Sequence, residues 1–176
     1  ALGTACVAAF TAAARVKMFF LCPFESLGIA MATYVGQNYG AGKPERVWQG
    51  IKSSTGMMLV YAVFTFAALM LGARQILYLF VDPSETEILK DAILYVHVTA
   101  VFFPLVGILC ILRYSIQGAG FTNLAMFSGV AEMIARTVVS LFAVPVWGYM
   151  AVCFGDSTAW LAADLFLVPA FYYVYK

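Results

Sequence analysis

The stretch SSTGMMLVYAVFTFAALMLGA, residues 53–73, runs for 21 residues without one charged side chain. A helix needs about 20 consecutive apolar residues, each adding about 1.5 Å, to cross the hydrocarbon of a bilayer. The segment therefore predicts a membrane-spanning helix. Composition extends that reading to the whole chain. Of its 176 residues, 64% are hydrophobic and 11% charged, with a mean hydropathy of +0.91. A soluble domain is about 45–50% apolar and about 25% charged. A core of this size has no room for the excess, so the chain reads as an all-α integral membrane protein with the lipid bilayer as a partner. Its formal net charge of +1 offers no basic surface for nucleic acid.

Four more stretches are apolar enough to span: residues 15–39, 92–112, 121–147 and 157–175. Residues 1–14 are apolar but too short, and are expected to form an interfacial or helix-end segment. Five spans place the two termini on opposite sides of the membrane. The chain opens at Ala1, in apolar sequence, with neither an initiator Met nor a signal-peptide pattern. It is expected to be a fragment, a single partial membrane domain over residues 1–176. The connections are polar. NYGAGKPERVWQG (38–50) is expected to lie in water, and GAGFTN (118–123) and GDS (155–157) read as tight hairpins. In DPSETE, Ser84 with Glu87 three residues on reads as a capping box.

Lys and Arg near the span ends set orientation. Lys43, Arg46, Lys52, Arg113 and Lys176 fall on one side, and Arg15, Lys17, Arg74 and Lys90 on the other. The slight excess puts the first loop and the C-terminus in the cytoplasm. Trp147, Tyr149 and Trp160 are expected to anchor one interface, and Tyr172, Tyr173 and Tyr175 the other.

Charges inside the spans carry the functional signal. Glu25, Glu132, Arg136 and Asp164 each cost about 2.5–3.5 kcal/mol at a helix centre. They must pair, become neutral or line water. Glu132 and Arg136 stand one turn apart with the acid first, the better order for a helical pair. A structural ion pair and a titrating carboxylate on a transport path both fit. Glu25 follows Pro23 in LCPFESLG, and a proline bends a helix and frees a carbonyl. Asp164 lies about two turns into the last span. Pro23 and Pro104 are helix-break candidates, and interrupted helices near the midplane are where transporters build sites. Phe20, Phe24 and Phe103, close to these prolines, are substrate-lining candidates. Gly28 with Ala32, and Ala131 with Ala135, allow helices to approach closely.

Other chemistries find no support. The four cysteines (Cys6, Cys22, Cys110, Cys153) have no metal-binding or disulfide spacing and are expected to be buried, inert thiols. His97 stands alone, so no metal site is expected. GAGK (40–43) is too short for a phosphate-binding loop and runs into Pro44, and no H-x-x-x-H or nucleophile elbow occurs. The chain does not read as an enzyme, and no cofactor is expected.

The order of several motifs carries a resemblance. YVGQNYGAGKPERV (34–47) follows the first span, RYSIQGAGFTN (113–123) leads into SGVAEMIAR (128–136), and VPVWGY (144–149) precedes AWLAAD (159–164). Nearly the whole chain resembles the C-terminal lobe of the MATE family, the multidrug and toxic compound extrusion transporters. The resemblance implies two lobes of six helices, with this chain similar to helices eight to twelve. The seventh helix and the N-terminal lobe of the same chain would be missing partners. It implies a secondary antiporter in the cell (inner) membrane that exports drug-like cationic or amphipathic compounds in exchange for H⁺ or Na⁺, with a cytoplasmic C-terminus. Some members carry a coupling acid on the tenth helix; the matching residues 96–112 have none. Glu25, Glu132, Asp164, Arg136 and Arg113 remain the ion-coupling or cavity candidates. A carboxyl in a shielded cavity can take a proton on one side and release it on the other, in competition with a cationic substrate. The nearest rival is a related flippase for lipid-linked or polysaccharide precursors, using Arg15, Arg113 and Arg136 for phosphate. A channel would need a continuous polar stripe, which residues 53–73 lack, and an intramembrane enzyme would need paired acids or a Ser/His set at matched depth, which is not evident; a non-transporting membrane scaffold is the lesser alternative.

Overall fold

The computed structural model describes residues 3–176, and no strand occurs among them. Seven α-helices follow in order: α1 (Thr4–Gly40), α2 (Pro44–Leu77), α3 (Thr86–Val101), α4 (Phe103–Gly118), α5 (Thr122–Val138), α6 (Val144–Trp147) and α7 (Tyr149–Val174). A π-helical turn, Val139–Ala143, joins α5 to α6. By length and composition, α1, α2, α5 through α6, and α7 can each cross a membrane, and α3 with α4 forms a fifth, broken span. The expected five spans are present, with different ends.

The first span is longer than expected. α1 takes in residues 4–14 and runs unbroken through Pro23. Its 37 residues measure about 55 Å against about 30 Å of hydrocarbon, so α1 tilts or protrudes. The polar stretch 38–50 is mostly helical as well. Only residues 41–43 lie between α1 and α2, because Gly42 adopts φ +67 and Pro44 sits in the first turn of α2, where its missing N–H costs nothing. The capping box does not form. Ser84 N–H and Oγ–H instead donate to Asp82 Oδ1 at 2.9 and 2.6 Å, closing a local turn. Those two bonds hold the exposed Asp82 carboxyl below its usual range.

Pro104 does break its span. α3 and α4 meet at 53°, with Phe102 N–H turned back to Thr99 O at 3.0 Å. A second interruption, at Pro145, goes beyond the sequence expectation. Pro145 has no N–H for the carbonyl one turn earlier, and the widened π turn lies just before it. The expected hairpin at GDS is also displaced: Gly155, Asp156 and Ser157 are helical within α7, and the corner is Gly148, at φ +58. A left-handed φ suits glycine because it lacks a Cβ. Gly120, at φ +95, makes the expected turn between α4 and α5.

α1 packs most extensively on α4, and α5 on α7. Gly28 and Ala32 do lie at the α1–α4 crossing. A Cβ on Gly36 would stand 3.1 Å from Gly118 O, and a Cβ on Gly118 would overlap the Ala32 carbonyl. Phe24 and Phe103 are buried in the core at 2% and 1% exposure, with T-shaped ring contact. Within this bundle they pack helices together and do not line an open surface. Trp160 is likewise buried, against Phe103, and is no interfacial anchor, whereas Trp147, Tyr172 and Tyr173 are exposed.

Candidate functional site

Five helices converge on one ionic network. Arg113, on the last turns of α4, pairs with Glu132 of α5 and donates from Nε to Ser128 Oγ at 2.9 Å. Glu132 is shared, because Arg136 approaches its other oxygen at 3.5 Å. Arg136 in turn stands 3.3 Å from Asp156 of α7. Asp156 also pairs with Lys17 of α1 and accepts from the hydroxyl of Tyr95 on α3. Lys17 closes the set with a 2.9 Å bond to that same hydroxyl. Three cations and two acids are thus threaded from α4 through α5 and α7 to α1 and α3.

Of the internal charges of the sequence, Glu132 and Arg136 therefore do pair, but not as a self-contained unit on α5. The i, i+4 contact of Glu132 with Arg136 is the longest link, and Arg113 is the nearer partner of Glu132. The reason is geometric. On a lone helix the pair is set by spacing, whereas an arginine from a neighbouring helix can point straight into a carboxylate. Lys17, Glu132 and Asp156 are mostly shielded, at 14% side-chain exposure, while Arg136 is half exposed, at 50%. Desolvating such charges is tolerable only when each has a good partner.

Two grooves meet at Arg136. One, of about 420 Å³, runs along α5 past Glu132, Thr137 and Ser140. The other, of about 160 Å³, lies between α1, α5 and α7 and touches Phe10, Val152 and Asp156. Arg136 and Ser140 line both.

The remaining candidates fall elsewhere. Glu25 is on the exposed face of α1 and has no ion pair among the described residues. Pro23 lies on the same helix without breaking it, and Phe20 is half-buried, its carbonyl accepting from Tyr61 at 3.1 Å. Asp164 is buried in α7, outside the network. Among the described residues no cluster of His, Cys, Asp and Glu can hold a metal ion. All four cysteines are free; Cys110 and Cys153 are buried as expected, but Cys22 is exposed.

Lys17, Tyr95 and Asp156 join the site although sequence reasoning misses them. A span that starts at residue 15 makes Lys17 a flanking charge, and a hairpin at GDS places Asp156 in a loop. The available signal is Lys17 itself, inside the apolar run AAARVKMFF: a cation within a span needs a partner, and Asp156 is the acid that supplies it. Lys17 and Arg113 belong to the network rather than to opposite flanks, so neither counts as a loop charge, and the bias between the two sides is unaltered.

Comparison with known proteins places this geometry in a family. A MatE family model matches residues 1–142. A curated relative, an FAD transporter of Shewanella oneidensis, is 33% identical over 89 residues, which is 50% of this chain and 20% of that protein. Among solved structures, a MATE protein in a bent conformation superposes with a TM-score of 0.84 at 15% identity, over 94% of this chain and 37% of its own. An inward-facing multidrug resistance MATE family transporter of the MOP superfamily gives 0.79 at 20% identity, over 94% of this chain and 40% of its own. A MOP superfamily transporter from Pyrococcus furiosus, described as having a binding pocket of reversed polarity, gives 0.85 at 20% identity, over 99% of this chain and 40% of its own. The chain thus spans well under half the length of these relatives, and their fold is its fold. With five apolar spans arranged as in those structures and a family match over most of its length, the chain belongs to the MatE family, a family of membrane transporters rather than enzymes.

Proposed function

We propose that this chain forms most of one lobe of a secondary antiporter that exports amphipathic, cationic organic compounds in exchange for H⁺ or Na⁺. The observation that carries the reading is the five-membered ionic network inside apolar helices. A scaffold has no need of such charges, since apolar packing of the same volume is as stable or more so. Acids and cations spread over four helices are instead poised to exchange partners when helices shift. The N-terminal lobe and the seventh helix would complete the cavity. The protein would lie in the inner membrane with Lys176 in the cytoplasm.

The test is transport by the purified full-length protein in proteoliposomes. A fluorescent cationic dye should accumulate against its gradient when an opposing H⁺ or Na⁺ gradient is imposed, and should stop doing so when an ionophore collapses it. Dye movement indifferent to both gradients would rule out antiport.

A second reading concerns polarity. Arg136 is half exposed where the two grooves meet, and the 33% identical relative is an FAD transporter. A guanidinium matches a phosphate in charge and in fork geometry. Under this reading the cargo is a phosphate-bearing organic anion, free or lipid-linked. Uptake of FAD, but not of the cationic dye, in the same vesicles would favour it.

A further inference from the structure

Between the C-terminal half of α1 and the N-terminal half of α2 runs a groove that the ionic network does not touch. It has two compartments, of about 660 and about 470 Å³, which share Ser53 and Met57. Hydrogen bonds fix its walls. Tyr34 donates its hydroxyl to Arg46 O at 2.9 Å and lays its ring against Gly50, where a Cβ would overlap it. Tyr61 donates to Phe20 O at 3.1 Å. Gly56 leaves the floor open, since a Cβ there would meet nothing within 4 Å.

The groove changes character along its length. At one end it presents Gln49, Lys52 and Ser53; further along α2 it presents Met57, Val60 and Phe64. These positions recur every three or four residues and so share one face of the helix. From Gln49 to Phe64 that face extends about 22 Å, and one bilayer leaflet with its headgroups is about 20–22 Å deep. The opposite face, with Ile51, Met58 and Ala62, is buried in the bundle. No carboxylate lines either compartment. Lys52 is exposed and has no ion pair among the described residues, and Lys43 and Arg46 lie at the same end. Glu45 is the single acid between Asn38 and Ser53. It stands two turns beyond Lys52, about 10 Å along the helix. Three cations thus face one acid at this end. A cation at the mouth with an apolar slot behind it, one leaflet deep, matches an amphiphile with an anionic head, and basic sites between membrane helices recognise such headgroups. A neutral lipid would fill the slot equally well but leave Lys52 without a counter-charge.

We propose that this groove binds one anionic phospholipid of the leaflet on the Lys52 side, with its phosphate at Lys52 and an acyl chain along Met57, Val60 and Phe64. The site shares no residue with the grooves at Arg136, so it stands whichever cargo the transporter carries. The test is native mass spectrometry of the purified full-length protein, released from nanodiscs of equal parts phosphatidylglycerol and phosphatidylcholine with identical acyl chains. The wild type should retain one phosphatidylglycerol over phosphatidylcholine by about fivefold or more, the share of one cation beside an anionic lipid. Lys52→Ala should lose about that factor, and Lys52→Arg should keep it. Gly56→Trp, which fills the open floor, should lower retention of both lipids while keeping the wild-type melting temperature. Equal retention of the two lipids by the wild type overturns the proposal, as does a preference that survives both Lys52→Ala and Gly56→Trp. A Gly56→Trp protein that melts lower with its lipid count unchanged shows that a protein segment occupies the groove, and also overturns it.

Discussion

Two seams of this bundle are built from opposite materials. Where α1 crosses α4, the contact is made by Gly28, Ala32, Gly36 and Gly118, and backbone lies almost against backbone. Where α5 meets α4 and α7, the links are Arg113 with Glu132 and Arg136 with Asp156. The first seam has one solution, because small residues in close contact cannot shift without overlap or a void. The second has several, because a charged side chain can leave one partner for another at similar cost. The contrast teaches that rigidity and exchange are kept apart: the α1–α4 pair forms the frame, and α5 carries the groups that can change partners.

The comparison breaks most visibly at Glu132. Glu132→Ala strands Arg113 in a shielded site and should destabilise the protein by about 3–5 kcal/mol, while Glu132→Gln, which keeps an acceptor, should cost less. Thermal unfolding in detergent reads the difference, and an Ala variant that melts like the wild type would show that charge does not hold the second seam. The first seam is probed by Gly118→Ala. The added Cβ overlaps the Ala32 carbonyl, so a loss of about 1–3 kcal/mol is expected. A neutral result there would mean the helices separate easily and the frame is softer than its packing implies. The smallest effect on stability belongs to Arg136→Ala. Its links are long and the side chain is half exposed, so about 0–1 kcal/mol is expected. Transport should fall by far more than that small loss accounts for. A variant with normal melting and normal transport would remove Arg136 from the site.

The number of spans was legible because lipid imposes a length and forbids unpaired charge, and both constraints act on local sequence. Pro104 announced its bend for the same reason: a missing N–H is a property of one residue. The corner at Gly148 is misplaced to GDS when polarity is taken as the sign of a turn, whereas the chain turns where a left-handed backbone is accessible. Asp156 then escapes notice as a site residue. Its polarity is used inside α7, where Lys17, Tyr95 and Arg136 gather around it from three other helices.

Residue type and spacing were enough to establish an all-helical membrane protein, its five crossings, its small-residue contacts and the presence of charges that demand partners. Those properties follow from the cost of exposing polar groups to hydrocarbon, which each segment meets alone. Which charges pair with which was settled by the fold. Lys17 and Asp156 are 139 positions apart, and Arg113 and Glu132 are 19 apart. No local periodicity encodes such distances; they close only when the packing of one helix on another brings the side chains to the same depth.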